Sequence, residues 1–121
     1  SVVLEVNAEA LVLAQKAGVD PRLVMDVLAA GGARTVAMET RGPRILQRDF
    51  AARFSLANQC KDLDNALAMA NDLGVPVPSA ESVRAVYQSA LAQGQGALDG
   101  SIIVTVLEQR AGVTVGEAAK S

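Results

Sequence analysis

Lys61 and Asp62 stand in the run QCKDLDNAL, at the head of an amphipathic helical pattern. A lysine in such a place can neutralise a substrate carboxylate or contact a cofactor, and the neighbouring aspartate can orient it or hold a ribose hydroxyl. The plainer alternative is a first-turn aspartate complementing the helix dipole beside a solvated lysine. Asp64 at i+3 and Asn65 at i+4 also offer Lys61 an ordinary surface pair. A second cluster is basic: Arg34, Arg41, Arg44, Arg48 and Arg53 fall within 20 residues, against only Glu39 and Asp49. Such a stretch suits a rim for a nucleotide phosphate or an anionic substrate, a solvated face, or pairing across a subunit interface. Phe54 adjoins it, as core residue or as cofactor platform.

Gly94-Gln95-Gly96 is the one glycine pattern to weigh as a phosphate loop. A loop of that kind follows a strand and opens a helix. This one follows a helical pattern, so it reads as a C-cap and turn. Cys60 reads as a small buried hydrophobe.

What the chain lacks narrows the chemistry further. Its 121 residues include no His and one Cys. Ser-His-Asp and Cys-His nucleophilic sites, Cys/His zinc sites and disulfide frameworks are thereby excluded. A net charge of −2 and an aromatic content of 2% speak against a nucleic-acid surface. The N-terminal run carries Glu5, Asn7, Glu9, Gln15 and Lys16, which interrupt the roughly 18 apolar residues a membrane span needs. It has no basic leader, so a cytoplasmic protein is expected. The chain opens on Ser1 and enters a helical pattern at once, which suggests a piece of something longer.

Helices must position these residues. Val2, Val3, Val6, Ala10, Leu13, Ala14 and Ala17 form an apolar stripe over 2–17, closed by Gly18. Asp20-Pro21 caps a second helix over 21–30, presenting Leu23, Val24, Val27 and Leu28. A short helix over 34–41 is expected to break at Gly42-Pro43 and resume for a turn over 44–48. Ser55 or Asn58 caps a helix that runs to Leu73 with Leu63, Ala66, Leu67, Ala70 and Leu73 on one face, and Gly74 closes it. After an extended Val75–Pro78, Ser79 caps a helix with Val83, Val86, Tyr87, Ala90 and Leu91 inward. Asp99 or Ser101 caps the last helix, and the tail from Gly112 frays. With 22 alanines and no period-2 segment, the expectation is an all-α bundle of five to six helices in one domain.

Four blocks in order carry a resemblance: EALVLAQKAGVDP at 9–21, Phe54 through Lys61-Asp62-Leu63, LGVPVP at 73–78 and GQGALDGS at 94–101. Over about 100 residues the chain resembles the C-terminal domain of β-hydroxyacid dehydrogenases, in the 3-hydroxyisobutyrate dehydrogenase and tartronate semialdehyde reductase branch, whose helical fold is like that of the 6-phosphogluconate dehydrogenase C-terminal domain. The resemblance implies a two-domain oxidoreductase using NAD or NADP, whose N-terminal Rossmann domain is absent from this chain and would supply about 170 further residues. Residues 1–121 then form the wall of the cleft for a small hydroxy-acid substrate and an interface of a homo-oligomer. No catalytic residue is expected here: the family's acid/base lysine falls upstream of Ser1, and Asn7 stands at the wrong offset from Glu9-Ala10-Leu11 to be the family's asparagine. Lys61, Phe54 and Asp62 match the cofactor-binding positions. By this resemblance the isolated chain is inactive and holds no cofactor by itself. The alternative is a helical dimerisation module without catalysis.

Overall fold

The Val-, Leu- and Ala-rich opening of the chain is apolar around most of its circumference, and it forms the first helix, α1 (Val2–Lys16). The structure, a computed structural model, describes residues 1–117. After α1 come α2 (Pro21–Ala29), α3 (Val36–Leu46), α4 (Leu56–Leu73) and α5 (Pro78–Ala92), then a 3-10 turn (Gly100–Ile103) that leads into α6 (Val104–Ala111). There is no strand among the described residues, only a single antiparallel bridge between Ser55 and Asp99. The expected all-α bundle is therefore the observed fold.

Two apolar clusters share the interior. In one, α4 and α5 pack through Leu56, Leu63, Val83, Val86 and Tyr87 against Leu4 of α1 and Ile103. In the other, Ala8, Leu11 and Val12 of α1 meet Met38 and Ile45 of α3, Val104 of α6 and Val115. Helix α1 thus runs through both clusters.

The caps follow local chemistry. Asp20 Oδ1 accepts the Arg22 N–H at 2.9 Å with Pro21 in the first turn, as expected. Gly18 and Gly74 adopt φ of +75° and +68° after α1 and α4, where a β-carbon would be strained.

Five expectations need correcting. The buried face of α1 is Leu4, Ala8, Leu11 and Val12, whereas Val3, Val6 and Leu13 of the expected stripe are 50%, 53% and 71% exposed. With apolar residues on both sides of the helix, spacing offered two stripes, and the one that meets α3 and α6 is inside. In α2, likewise, Leu23 and Val27 face outward while Met25 and Leu28 pack on the core. Third, α3 does not break at Gly42-Pro43. Without a β-carbon, Gly42 escapes the clash with the proline ring that forces other residues out of the helical region. Its bare face also admits α2: a β-carbon there would lie 2.9 Å from Met25 Cε and 3.0 Å from Met38 Sδ. Fourth, α5 starts at Pro78 in its first turn, with Val77 in the cap position and Ser79 inside. Fifth, the tail is tied down as far as it is described. Val115 is buried and its N–H donates to Glu108 Oε2 at 2.6 Å; Gly116 donates to Gln15 Oε1 at 3.1 Å, and Gln15 Nε2 returns a bond to the Glu117 carbonyl at 2.9 Å. The rest of that tail, 118–121, lies outside the described residues.

Candidate functional site: the entry to helix α4

Helix α4 is amphipathic with Leu56, Gln59, Cys60, Leu63 and Ala70 buried, which fixes Lys61 and Asp62 on the opposite, exposed face. The surface pair available to Lys61 in sequence does not form. Asp64 instead accepts from Arg84 of α5 at 2.8 Å, so among the described residues Lys61 has no acidic partner. Asp62 is exposed as well and enters no ion pair in the described residues. Phe54 precedes the helix and is 39% exposed as a residue, at the margin of the core rather than in it. Cys60 is buried, as expected, and its thiol lies 3.8 Å from the Tyr87 carbonyl.

The first N–H groups of an α-helix are open to anions unless something else takes them. In α4 they are taken. Leu56 donates to the Leu98 carbonyl at 2.7 Å, Ala57 to the Gly96 carbonyl at 3.0 Å and Asn58 to Ser55 Oγ at 3.2 Å. The glycine loop is used up by the same contacts. Gly94 ends α5 at φ +79°, and the Gly96 and Leu98 carbonyls cap α4. The turn reading of Gly94-Gln95-Gly96 thus holds, and no phosphate cradle exists there.

Asp99 is the centre of this entry. Its carboxylate is fully buried. Oδ1 accepts the backbone N–H of Arg53 at 3.2 Å and of Phe54 at 3.3 Å; Oδ2 accepts Ser101 N–H at 3.1 Å and Ser101 Oγ–H at 2.7 Å. Burial alone pushes such a carboxyl upward, but the Ser101 hydroxyl and the three backbone donors outweigh it and hold Asp99 at about 2. Arg41 Nε at 3.4 Å and Arg44 Nη2 at 3.9 Å supply the countercharge.

That accounts for much of the basic stretch. Arg41 and Arg44 serve Asp99, Arg53 pairs with Asp49 at 3.2 Å, Arg34 pairs with Glu39, and Arg48 makes two bonds to Glu108. These arginines meet carboxylates of their own domain, so neither a free phosphate rim nor cross-subunit pairing is needed to explain them.

Gln59 and Tyr87 carry no motif signal, yet both are buried here. Gln59 Nε2 donates to Tyr87 Oη at 3.3 Å, and the Tyr87 hydroxyl donates to the Ser1 carbonyl at 2.8 Å. Burial pushes the Tyr87 phenol well above its ordinary value, so it stays a donor. The only hint in sequence is that Tyr87 is the lone tyrosine on an inward stripe. Asn7 donates to Thr35 Oγ1 at 2.9 Å, tying α1 to the cap of α3, a structural task. Three clefts of about 650, 480 and 110 Å³ lie elsewhere, and none is lined by Phe54, Lys61 or Asp62. Among the described residues no cluster of acids and cysteine could hold a metal ion.

The fold and its blocks have counterparts among known proteins. Residues 1–107 match the family described as the NAD-binding domain of NADP-dependent 3-hydroxyisobutyrate dehydrogenase. The chain is 35% identical over 109 residues to 2-(hydroxymethyl)glutarate dehydrogenase of Eubacterium barkeri, covering 89% of this chain and 36% of that protein. It is 35% identical over 105 residues to 2-hydroxy-3-oxopropionate reductase of Escherichia coli, covering 87% and 36%. A solved 3-hydroxyisobutyrate dehydrogenase from Salmonella typhimurium superposes with a TM-score of 0.82 at 27% identity, over 87% of this chain and 37% of that one. The chain therefore spans little more than a third of the relatives it matches. Within that span, this chain belongs to the 3-hydroxyisobutyrate dehydrogenase NAD-binding domain family, among the β-hydroxyacid dehydrogenases.

Proposed function

We propose that this chain is the helical domain of an NAD- or NADP-dependent β-hydroxyacid dehydrogenase and forms one wall of its cofactor and substrate cleft. The observation that carries the reading is Lys61: an exposed lysine with no acidic partner among the described residues, on a helix whose entry follows the part-exposed Phe54 and is fixed from within the domain. The donor set fits one edge of a nicotinamide dinucleotide. A cation and an aromatic ring are present, while the helix N–H groups that hold a pyrophosphate are already spent. The phosphate cradle therefore belongs to a Rossmann domain outside this chain, and so does the acid/base lysine.

When bound, the nicotinamide supplies the hydride acceptor or donor for a carbonyl–hydroxyl interconversion. Lys61 contributes a positive charge at the edge of the cleft, Asp62 offers its carboxylate to a ribose hydroxyl, and Phe54 excludes water on that side. The substrate class is a short acid with a hydroxyl or carbonyl on the β-carbon, in keeping with the compounds for which the relatives are named. The 121 residues alone are inactive. No helix of the described residues is long and apolar enough to cross a membrane; we place the parent protein in the cytoplasm.

The outward apolar residues Val3, Val6 and Leu13 of α1, with Leu23 and Val27 of α2, support burial against another chain or domain, and a homo-oligomer is proposed. The same surface would serve a non-catalytic dimerisation module. The deciding experiment compares full-length protein, Lys61→Ala and residues 1–121 for nicotinamide-dependent oxidation of short 3-hydroxy acids. Expected are turnover by the first, a cofactor KM raised about tenfold in the second and no turnover by the third. A full-length protein that dimerises and binds no dinucleotide establishes the module instead.

A further inference from the structure

We propose that Asp99 is a positioning residue for the cofactor-facing surface, acting through the chain at Arg53 and Phe54 to set the Phe54 ring and the helix that carries Lys61. The inference rests on the functional reading above. A helix cap needs one acceptor for the N–H two or three residues on, and Asp99 meets that need with Oδ2, which takes both Ser101 donors. Its second oxygen is committed elsewhere. Oδ1 receives the N–H groups of Arg53 and Phe54, some 45 residues upstream in sequence. Backbone bonds from the same strip secure the rest of that approach: Asp99 N–H to the Phe50 carbonyl at 3.0 Å, Gly100 N–H to the Phe54 carbonyl at 3.0 Å and Leu56 N–H to the Leu98 carbonyl at 2.7 Å. Phe54 is thereby held at both its N–H and its carbonyl, which fixes where its ring leaves the backbone.

The approach is also braced from α3. Arg41 and Arg44 neutralise Asp99, and Arg44 Nη2 donates to the Ala51 carbonyl at 2.6 Å, just ahead of the pinned pair. Lys61 lies six residues beyond the Ser55 cap, so a displacement of the helix entry is carried to it along about 9 Å of stiff helix. Misplacement of a positioning group by about 1 Å costs up to about a hundredfold. Asp99 touches neither cofactor nor substrate; its influence is on where Phe54 and Lys61 stand.

The test uses full-length protein with Asp99→Ala, Asp99→Asn and each combined with Lys61→Ala. Asp99→Ala is expected to raise the cofactor KM about tenfold with kcat changed less than threefold, and Asp99→Asn, which keeps one acceptor oxygen, to give an intermediate rise. In the Lys61→Ala background the Asp99 substitutions are expected to add clearly less than in wild type, because the share carried by Lys61 is already lost and only that carried by Phe54 remains. A second readout needs no turnover: amide hydrogen exchange is expected to quicken in residues 50–58 and stay unchanged in α1. Exchange that quickens evenly across the domain, or a KM effect undiminished by Lys61→Ala, overturns the proposal. If Asp99→Ala does not fold, Asp99→Asn decides alone: an intermediate rise supports it and an unchanged KM with unchanged exchange overturns it. Should wild type show no saturable dependence on a dinucleotide, the dehydrogenase reading fails, and the exchange pattern still decides whether Asp99 sets the α4 entry.

Discussion

Arg48 donates through Nη1 and Nη2 to the two carboxylate oxygens of Glu108, at 2.7 and 3.0 Å, and does so from a left-handed backbone conformation with φ of 55°. Glu108 is 5% exposed and also accepts the Val115 N–H, so one carboxylate fastens α6 to the end of α3 and to the tail. Arg48 keeps more than a third of its side chain in water, which moderates the loss on removing it. Arg48→Ala is expected to destabilise the protein by about 1–3 kcal/mol, because a nearly buried carboxylate loses its counterion. Arg48→Gly is expected to cost about 1 kcal/mol less than Arg48→Ala, since glycine relieves the backbone strain. Urea denaturation of the two variants measures both differences, and an Arg48→Gly variant less stable than Arg48→Ala contradicts the assignment of strain.

Glu5 gives a pH dependence of unusual sign. Burial on α1, then a hydrogen bond and repulsion from Glu9, raise its carboxyl to about 7, and Arg110 offsets them only in part. A carboxyl raised in the folded state favours folding while protonated. Its contribution is fully present below the ordinary carboxylate range and is lost as pH rises through about 7. Glu5→Gln is therefore expected to gain stability relative to wild type between pH 5 and pH 8, on the order of 1 kcal/mol. Chemical denaturation at those two pH values tests it; a difference that does not grow with pH refutes it.

Two glycines with crowded surroundings are expected to behave differently. A β-carbon on Gly100 would lie 1.9 Å from Gln59 Oε1, inside the Gln59–Tyr87 contact. Gly100→Ala must push the amide aside and is expected to cost about 1–3 kcal/mol. At Gly42 the obstructing atoms are the flexible ends of Met25 and Met38, so Gly42→Ala is expected to cost less than Gly100→Ala. Thermal melts of the two variants rank them, and the reverse order counts against this packing account.

Tyr87→Phe removes a hydroxyl that both donates to the Ser1 carbonyl and accepts from Gln59. The exposed Ser1 keeps the Glu5 N–H at its carbonyl, so the cost falls on the buried Gln59 amide left short of a partner and is expected to be about 1–2 kcal/mol. Combining it with Gln59→Leu is expected to recover part of that loss, and a fully additive double variant would show that the two residues do not interact.

Helix α4 is legible in its extent, because one serine cap and one closing glycine agree, and only in part as a face: Leu63 and Ala70 of the expected stripe are buried, whereas Leu73 is 68% exposed and Ala66 is exposed too. Helix α1 was legible as a helix and not as a face, because Val3 and Leu13 are as apolar as Leu4 and Leu11. Spacing cannot say which of two apolar stripes a domain buries. At Gly42-Pro43 the general cost of proline predicts a break, and the relief given by the preceding glycine lets the helix continue. For the site, local context marks Lys61 as a candidate and leaves it open between a cofactor contact and a solvated lysine, the resemblance favours the first, and the partner that spacing offers in Asp64 is taken by Arg84 from another helix. Asp99 was legible as a cap. Its hold on Arg53 and Phe54 is a contact across 45 and 46 residues, which no local pattern encodes.

The capping of α4 by the Gly96 and Leu98 carbonyls also bears on the order of assembly. The middle of α4 and its neighbour α5 are joined by a four-residue connection and can dock early, as a helical hairpin does. The first turn of α4 has only Ser55 to hold it until the strip after α5 returns, about 40 positions later in the chain. Closing that loop is an entropic cost met late. The turn beside Lys61 is thus expected to be among the last parts of the domain to form, and φ-value measurement is expected to give low values there and higher ones at Leu63 and Val83.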